Sequence, residues 1–245
     1  MCKLTPEIKA ELIEKLTPIL NNLSVNMLYI EEGDDMVDTD YISDICNADW
    51  VQSGCTKVVL GYDNIPDWVI KIPIFGYKPY YFDEVDKPEE DEYIDFCNAD
   101  YHNIGCSCNN YCEAEQIYYE QAVDQGLAKF FAGTYFLFYI NGIPVYISEW
   151  AGNNIFGIRW KFKDTESSDK ASFLYECSRN TLEKARLHLS TLSYFVDEYG
   201  EDDVAELLSF IEFYQIEDLH NGNIGLDRNK KIKIIDYSSF YETDW

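Results

Sequence analysis

The sequence predicts an α+β protein, with an antiparallel sheet in the middle of the chain, helices in its last third and a helix ahead of both. Three observations carry this reading. Residues 51–73 and 130–149 contain short β-branched and aromatic runs separated by turn signals. Between residues 171 and 213 the apolar residues recur with helical spacing instead. After them, a polar turn at 218–225 leads into the strand-like Lys231-Ile232-Lys233-Ile234-Ile235.

Composition bounds what such a chain does. With 47% hydrophobic and 16% aromatic residues in 245, it holds enough apolar material for a substantial core. Its 45 acidic against 19 basic residues give a formal charge of −26. That balance argues against direct binding to nucleic acid or to an anionic membrane. It fits a well-solvated surface or a basic partner. No stretch reaches the roughly 18 consecutive apolar residues of a membrane span. The first residues lack the basic and apolar regions of a signal peptide, and eight cysteines without such a signal read as reduced thiols. The expected location is the cytoplasm.

Taken in order, residues 4–22 read as an amphipathic helix. Thr5 is its N-cap, Pro6 suits the first helical position, and Pro18 is expected to bend or split the last turn. Residues 31–49 are acidic and read as a loop. A strand ending near Val51-Gln52, a turn through Gly54, a strand at Lys57–Leu60 and another at Asp67–Pro73 follow. The last of these carries a lysine, Lys71, among Val69, Ile70 and Ile72. Residues 75–110 form an insertion with an acidic run between Asp83 and Asp95, read as a solvated loop. Cys97, His102, Cys106, Cys108 and Cys112 supply enough ligands for zinc, but their spacing matches no paired zinc knuckle, so zinc and reduced thiols both stay open. Cys97-Asn98-Ala99-Asp100 also repeats Cys46-Asn47-Ala48-Asp49.

Residues 112–126 read as a helix ending at Gly126, with Glu115 and Glu113 on it. Strands at Phe130–Leu137 and Ile143–Glu149 flank Asn141-Gly142, a strong hairpin signal. A single long helix is predicted over 171–199, ended by Gly200, and another over 202–213.

The chain then reaches Asp218-Leu219-His220-Asn221-Gly222-Asn223-Ile224-Gly225, and later Asp236-Tyr237-Ser238. Alone, these residues make a polar turn before an edge hairpin. The same residue types also suit phosphoryl transfer. One Asp accepts a hydroxyl proton, while Asn and Asp oxygens a short distance away hold Mg²⁺. Gly222 and Gly225 are expected to supply unusual backbone angles, and His220 to be structural within the loop.

Asn223 follows Asp218 by five residues and Asp236 follows Asn223 by thirteen. With the Asp-Leu-His-x-x-Asn form, this resembles the kinase-fold phosphotransferases, closest to the aminoglycoside and choline kinase branch. The resemblance covers residues 50–240. It implies a bilobal fold, with 1–45 as a helical extension, 46–149 as a small lobe carrying the nucleotide-binding sheet and the insertion, and 150–245 as a reduced helical large lobe. By the same resemblance ATP and Mg²⁺ are the cofactors. Lys71, held by Glu115, contacts the phosphates near the turn at Gly54. Asn223 and Asp236 bind the metal, Asp218 is the catalytic residue, and residues 149–152 connect the lobes. Gly54 stands alone where protein kinases carry three glycines. Only nine residues follow Asp236, so the acceptor surface is expected from 153–200, the insertion or a second protein. The expected activity is γ-phosphoryl transfer to a hydroxyl on a small molecule or protein. The alternative is an inactive, acidic binding protein acting on a basic or nucleic-acid-binding partner.

Overall fold

A computed structural model of the chain describes residues 4–30, 36–54, 56–77, 110–152 and 165–237. They form two units, each discontinuous in sequence. A sheet unit takes residues up to 113 together with 134–148; a helical unit takes 114–133 and 149–237. The structure is α+β, with a five-stranded antiparallel sheet. Among the described residues, no helix is long and apolar enough to cross a membrane.

The sheet unit begins with helix α1, Pro6–Leu20. Thr5 caps it, its Oγ1 accepting from the Ile8 amide at 3.3 Å, which satisfies one of the donors that a helix start leaves open. Leu12, Leu16 and Leu20 recur every four residues and are all buried. Pro18 does not split the helix: α1 continues to Leu20. Pro18 and Glu14 both face solvent, where water satisfies the carbonyl that proline cannot bond. Strand β1, Tyr29–Ile30, pairs in parallel with β5, Gly76–Tyr77.

The acidic stretch read as a loop contains a second helix, α2, Thr39–Cys46. Asp38 caps it by accepting the Tyr41 amide at 2.9 Å, while Ile42 and Cys46 turn inward. Burial pushes the Cys46 thiol up to about 11, so it behaves as an inert core group. Cys46, Cys112 and Cys177 are all reduced. The other proposed zinc ligands, the acidic run and the second copy of the Cys-Asn-Ala-Asp repeat lie outside the described residues.

The sheet has the order β2-β3-β4-β7-β6. Its strands are β2 (Trp50–Ser53), β3 (Lys57–Gly61), β4 (Trp68–Pro73), β6 (Thr134–Ile140) and β7 (Ile143–Glu149). The Asn141-Gly142 turn and the predicted strands around it and at 57–73 are present, but the strand predicted over Phe130–Leu137 runs from Thr134 to Ile140, and Ala128–Phe130 is a 3-10 turn. Asn141 and Gly142 both have positive φ, 49° and 77°, the pair of angles that a tight two-residue hairpin requires. The central strand β4 is buried along its entire length. One core joins the α1 leucines to Val58, Leu60, Ile70, Ile72, Val145 and Ile147.

The helical unit holds α3 (Tyr111–Asp124), most of which belongs to it, then α4 (Thr165–Cys177), α5 (Arg179–Ala185), α6 (Leu189–Tyr199) and α7 (Glu201–Phe213). The single helix predicted over 171–199 is therefore three. Arg186 takes a left-handed conformation with φ 57° and closes α5. An apolar periodicity that runs across this break hides it from the sequence. Phe130, Phe195 and Tyr199 form one aromatic cluster, and Phe131, Phe210 and Tyr237 another. The buried Tyr237 hydroxyl donates to the Ala132 carbonyl at 2.8 Å. Strands β8 (Ile224–Leu226) and β9 (Ile232–Ile234) form an antiparallel ribbon.

Candidate functional site

The loop between α7 and β8 is held by main-chain contacts before any side chain matters. The Leu219 amide donates to the Ala185 carbonyl at 2.6 Å, and the Leu219 side chain is fully buried. That anchor leaves Asp218 in the left-handed region at φ 60°, a conformation uncommon for residues other than glycine, asparagine and aspartate. The Asn223 Nδ2 donates to the Asp218 carbonyl at 2.7 Å, and the Asn223 amide to the His220 carbonyl at 2.8 Å. His220 has the structural place expected of it: its Nδ1 accepts from the Gly222 amide at 2.9 Å. The Thr191 hydroxyl fixes the outer edge by donating to Asn221 Oδ1 at 2.7 Å.

The glycines work differently from the expectation. Neither Gly222 nor Gly225 has a positive φ. A Cβ at Gly222 would lie 2.6 Å from the His220 ring, and one at Gly225 would lie 2.7 Å from the Gly152 carbonyl oxygen. Close approach, not backbone angle, excludes larger residues. The unusual angle belongs to Asp218.

The ribbon carries the loop to Asp236. Ile224 pairs with Ile234, and the Ile235 amide donates to the Asn223 carbonyl at 2.9 Å. Asn223 is thus opposite Ile235, with Asp236 next along the chain. Asp218, Asn223 and Asp236 come together at the open end of this ribbon, within the helical unit. At its closed end Asp227 Oδ1 accepts from the amides of Asn229 and Lys231 at 2.8 and 2.9 Å.

The remaining predicted residues lie on three separate segments. Lys71 is in β4, opposite Val59, and only 4% exposed. Glu115, on α3, is fully buried, whereas Glu113 faces solvent. Of the two glutamates named from sequence, the buried one is the one suited to a fixed internal partner. Gly54 donates its amide to the Lys57 carbonyl at 3.1 Å, has no positive φ, and has open space where a Cβ would stand. Nothing in the turn itself requires glycine there.

Two features of the helical unit carried no sequence signal. Arg186 reaches Asp218 across 32 residues, its Nη1 donating to Oδ1 at 2.8 Å, while His220 Nε2 stands 3.8 Å from Oδ2. Glu149 and Lys233 form the second. Lys233 is 4% exposed and donates to the Lys129 carbonyl at 2.7 Å. Burial pulls its ammonium below the usual lysine range, opposed by the charges of Glu149 and Asp227. Glu149 Oε2 accepts from the Gly133 amide at 3.3 Å, and Oε1 is buried with no hydrogen-bond partner among the described residues. Burial raises the Glu149 carboxyl, against the Gly133 hydrogen bond and the Lys233 charge. The segment after it is paired to the ribbon, with reciprocal Gly152–Leu226 bonds of 2.9 and 3.0 Å, and the Arg228 guanidinium lies over the Trp150 ring at 5.2 Å.

Among the described residues, no three His, Cys, Asp or Glu side chains gather as a metal site. The donors at the ribbon end still fit Mg²⁺, a hard cation held by one or two carboxylates together with phosphate oxygens. The bond from Nδ2 to the Asp218 carbonyl leaves Oδ1 as the Asn223 atom that would meet a cation. No protein-family profile, curated protein or solved structure matches this chain.

Proposed function

We propose that the protein is an ATP-dependent phosphotransferase with a kinase-like bilobal fold, passing the γ-phosphoryl group to a hydroxyl on a small molecule or protein. The observation that carries this reading is the loop-and-ribbon geometry, in which Asn223 bonds the main chain of Asp218 and the β8–β9 register brings Asp236 to the same end. The buried Lys71 and Glu115 and the five-stranded antiparallel sheet support it.

In this reading Lys71, oriented by Glu115, binds the ATP phosphates. Asn223 Oδ1 and the Asp236 carboxylate would hold Mg²⁺, which would neutralise charge on the phosphates. Asp218 accepts the acceptor hydroxyl proton as that oxygen attacks the γ-phosphorus. The bond to the β,γ-bridging oxygen breaks, and ADP leaves with the electron pair. Positioning and charge neutralisation supply most of the acceleration in such chemistry.

The test is a thermal-shift titration with Mg-ATP followed by a transfer assay with γ-labelled ATP. The wild type should be stabilised by Mg-ATP, and Asp236→Ala should weaken that response. No shift at millimolar Mg-ATP sinks the proposal. A partner captured by a protein that transfers no phosphate would favour the acidic binding module instead.

A further inference from the structure

We infer that Arg186 is a positioning residue for Asp218, selecting which carboxylate oxygen meets the acceptor; this rests on the phosphotransfer reading above. The terminal torsion of an aspartate is broad, so an unrestrained Asp218 would share its proton-accepting geometry among many orientations. Arg186 Nη1 restrains it by bonding Oδ1 at 2.8 Å. His220 Nε2, at 3.8 Å from Oδ2, is too far for a hydrogen bond, so Oδ2 is the oxygen presented to an acceptor.

Arg186 is itself well anchored. Its amide closes α5 on the carbonyls of Leu182 and Glu183 with φ 57°. The preceding residue, Ala185, accepts the Leu219 amide at 2.6 Å. The connection after α5 therefore grips Asp218-Leu219 twice, once through main chain and once through the guanidinium. A guanidinium donates hydrogen bonds, accepts none and does not release its proton, so Arg186 orients the carboxylate and takes no part in proton transfer. Its side chain is 69% exposed against 22% for Asp218. An ion pair that open contributes little to folding, which separates its effect on geometry from any effect on stability.

The experiment uses the full chain and Mg-ATP, with water as the acceptor. A water oxygen attacks the γ-phosphorus, the bond to the bridging oxygen breaks with its electrons leaving on ADP, and the water proton passes to Asp218 Oδ2. Arg186→Ala should lower kcat roughly 10- to 100-fold, as misplacing a reacting group does, with KM for Mg-ATP and Tm unchanged. Arg186→Lys should recover several-fold of the loss, since a single contact needs one charged donor. In an Asp218→Ala background, Arg186→Ala should change nothing further.

The inference is overturned if Arg186→Ala keeps wild-type kcat, if kcat and Tm fall together in both Arg186 variants, or if the loss persists without Asp218. Absence of hydrolysis by the wild type overturns the phosphotransfer reading along with it. Hydrolysis that needs Asp218 but not Arg186 removes this inference alone.

Discussion

Two hairpins in this molecule do opposite jobs. The β6–β7 hairpin is used at its closed end: the Asn141 amide nitrogen donates to the Asn21 and Leu23 carbonyls at 2.9 and 2.8 Å. Its turn ties the strands to the segment that follows α1. The β8–β9 hairpin has a turn satisfied by its own Asp227, and its polar residues of interest sit at the open end. The first commits a turn to tertiary structure. The second bonds the main chain of its turn through its own Asp227, and the proposed site is at its other end. Substitutions in the first should move stability, and those at the open end of the second should move turnover.

The sharpest way to break that contrast is Asp218→Ala. Loss of a general base typically costs about 10²- to 10⁴-fold in rate, and a urea titration should show only the loss of about 1–2 kcal/mol that alanine at φ 60° entails. A matching collapse of stability would show that the loop is structural after all. Gly225→Ala comes next, because the new methyl would meet main-chain oxygens of Gly152 and Ala151 at 2.7 and 2.9 Å. Such overpacking costs about 1–3 kcal/mol, and unfolding midpoints equal to wild type would mean that the paired segment shifts freely. Asn141→Ala removes two hydrogen bonds and places alanine at φ 49°. A loss of about 1–3 kcal/mol is expected, with Mg-ATP affinity unchanged; a variant that loses affinity and not stability would reverse the roles of the hairpins.

The smallest effect concerns Glu149 and is read against pH. Burial raises its carboxyl above the ordinary 4.5 in the folded protein. The folded state then binds more protons than the unfolded chain above that pH, so this group's contribution is complete below about 4.5 and lost as pH climbs through the raised value. Glu149→Gln should remove that slope, so the stability difference between wild type and variant grows less favourable to the wild type from pH 4.5 upward. Parallel profiles in denaturant titrations across that range would contradict the assignment.

Much of this fold was legible because its signals are local. Thr5-Pro6 starts α1, Asn141-Gly142 sets a hairpin, and the β-branched run around Lys71 marks a strand; each acts within a few residues. The order of Asp218, Asn223 and Asp236 was legible for the same reason, since one loop and one ribbon carry all three. What escaped notice depends on distance or on competing local cues. Helix α2 is short and its acids suggested a loop, although Asp38 with Ile42 and Cys46 four residues apart was the available signal. The break at Arg186 interrupts no apolar pattern and contains no glycine or proline. Arg186 with Asp218 is a pairing between distant segments, and the bonds of Lys233 to Lys129 and of Gly133 to Glu149 also cross the sequence; no spacing rule encodes them.

The left-handed backbone of Asp218 also hands the experimenter a reagent. Asparagine tolerates that conformation at least as well as aspartate, and its side-chain oxygen can still accept from Arg186, but an amide does not take up a hydroxyl proton. Asp218→Asn should therefore keep the loop folded and the nucleotide seated while halting transfer. Such a stalled protein, loaded with Mg-ATP, is the bait with which to trap the acceptor.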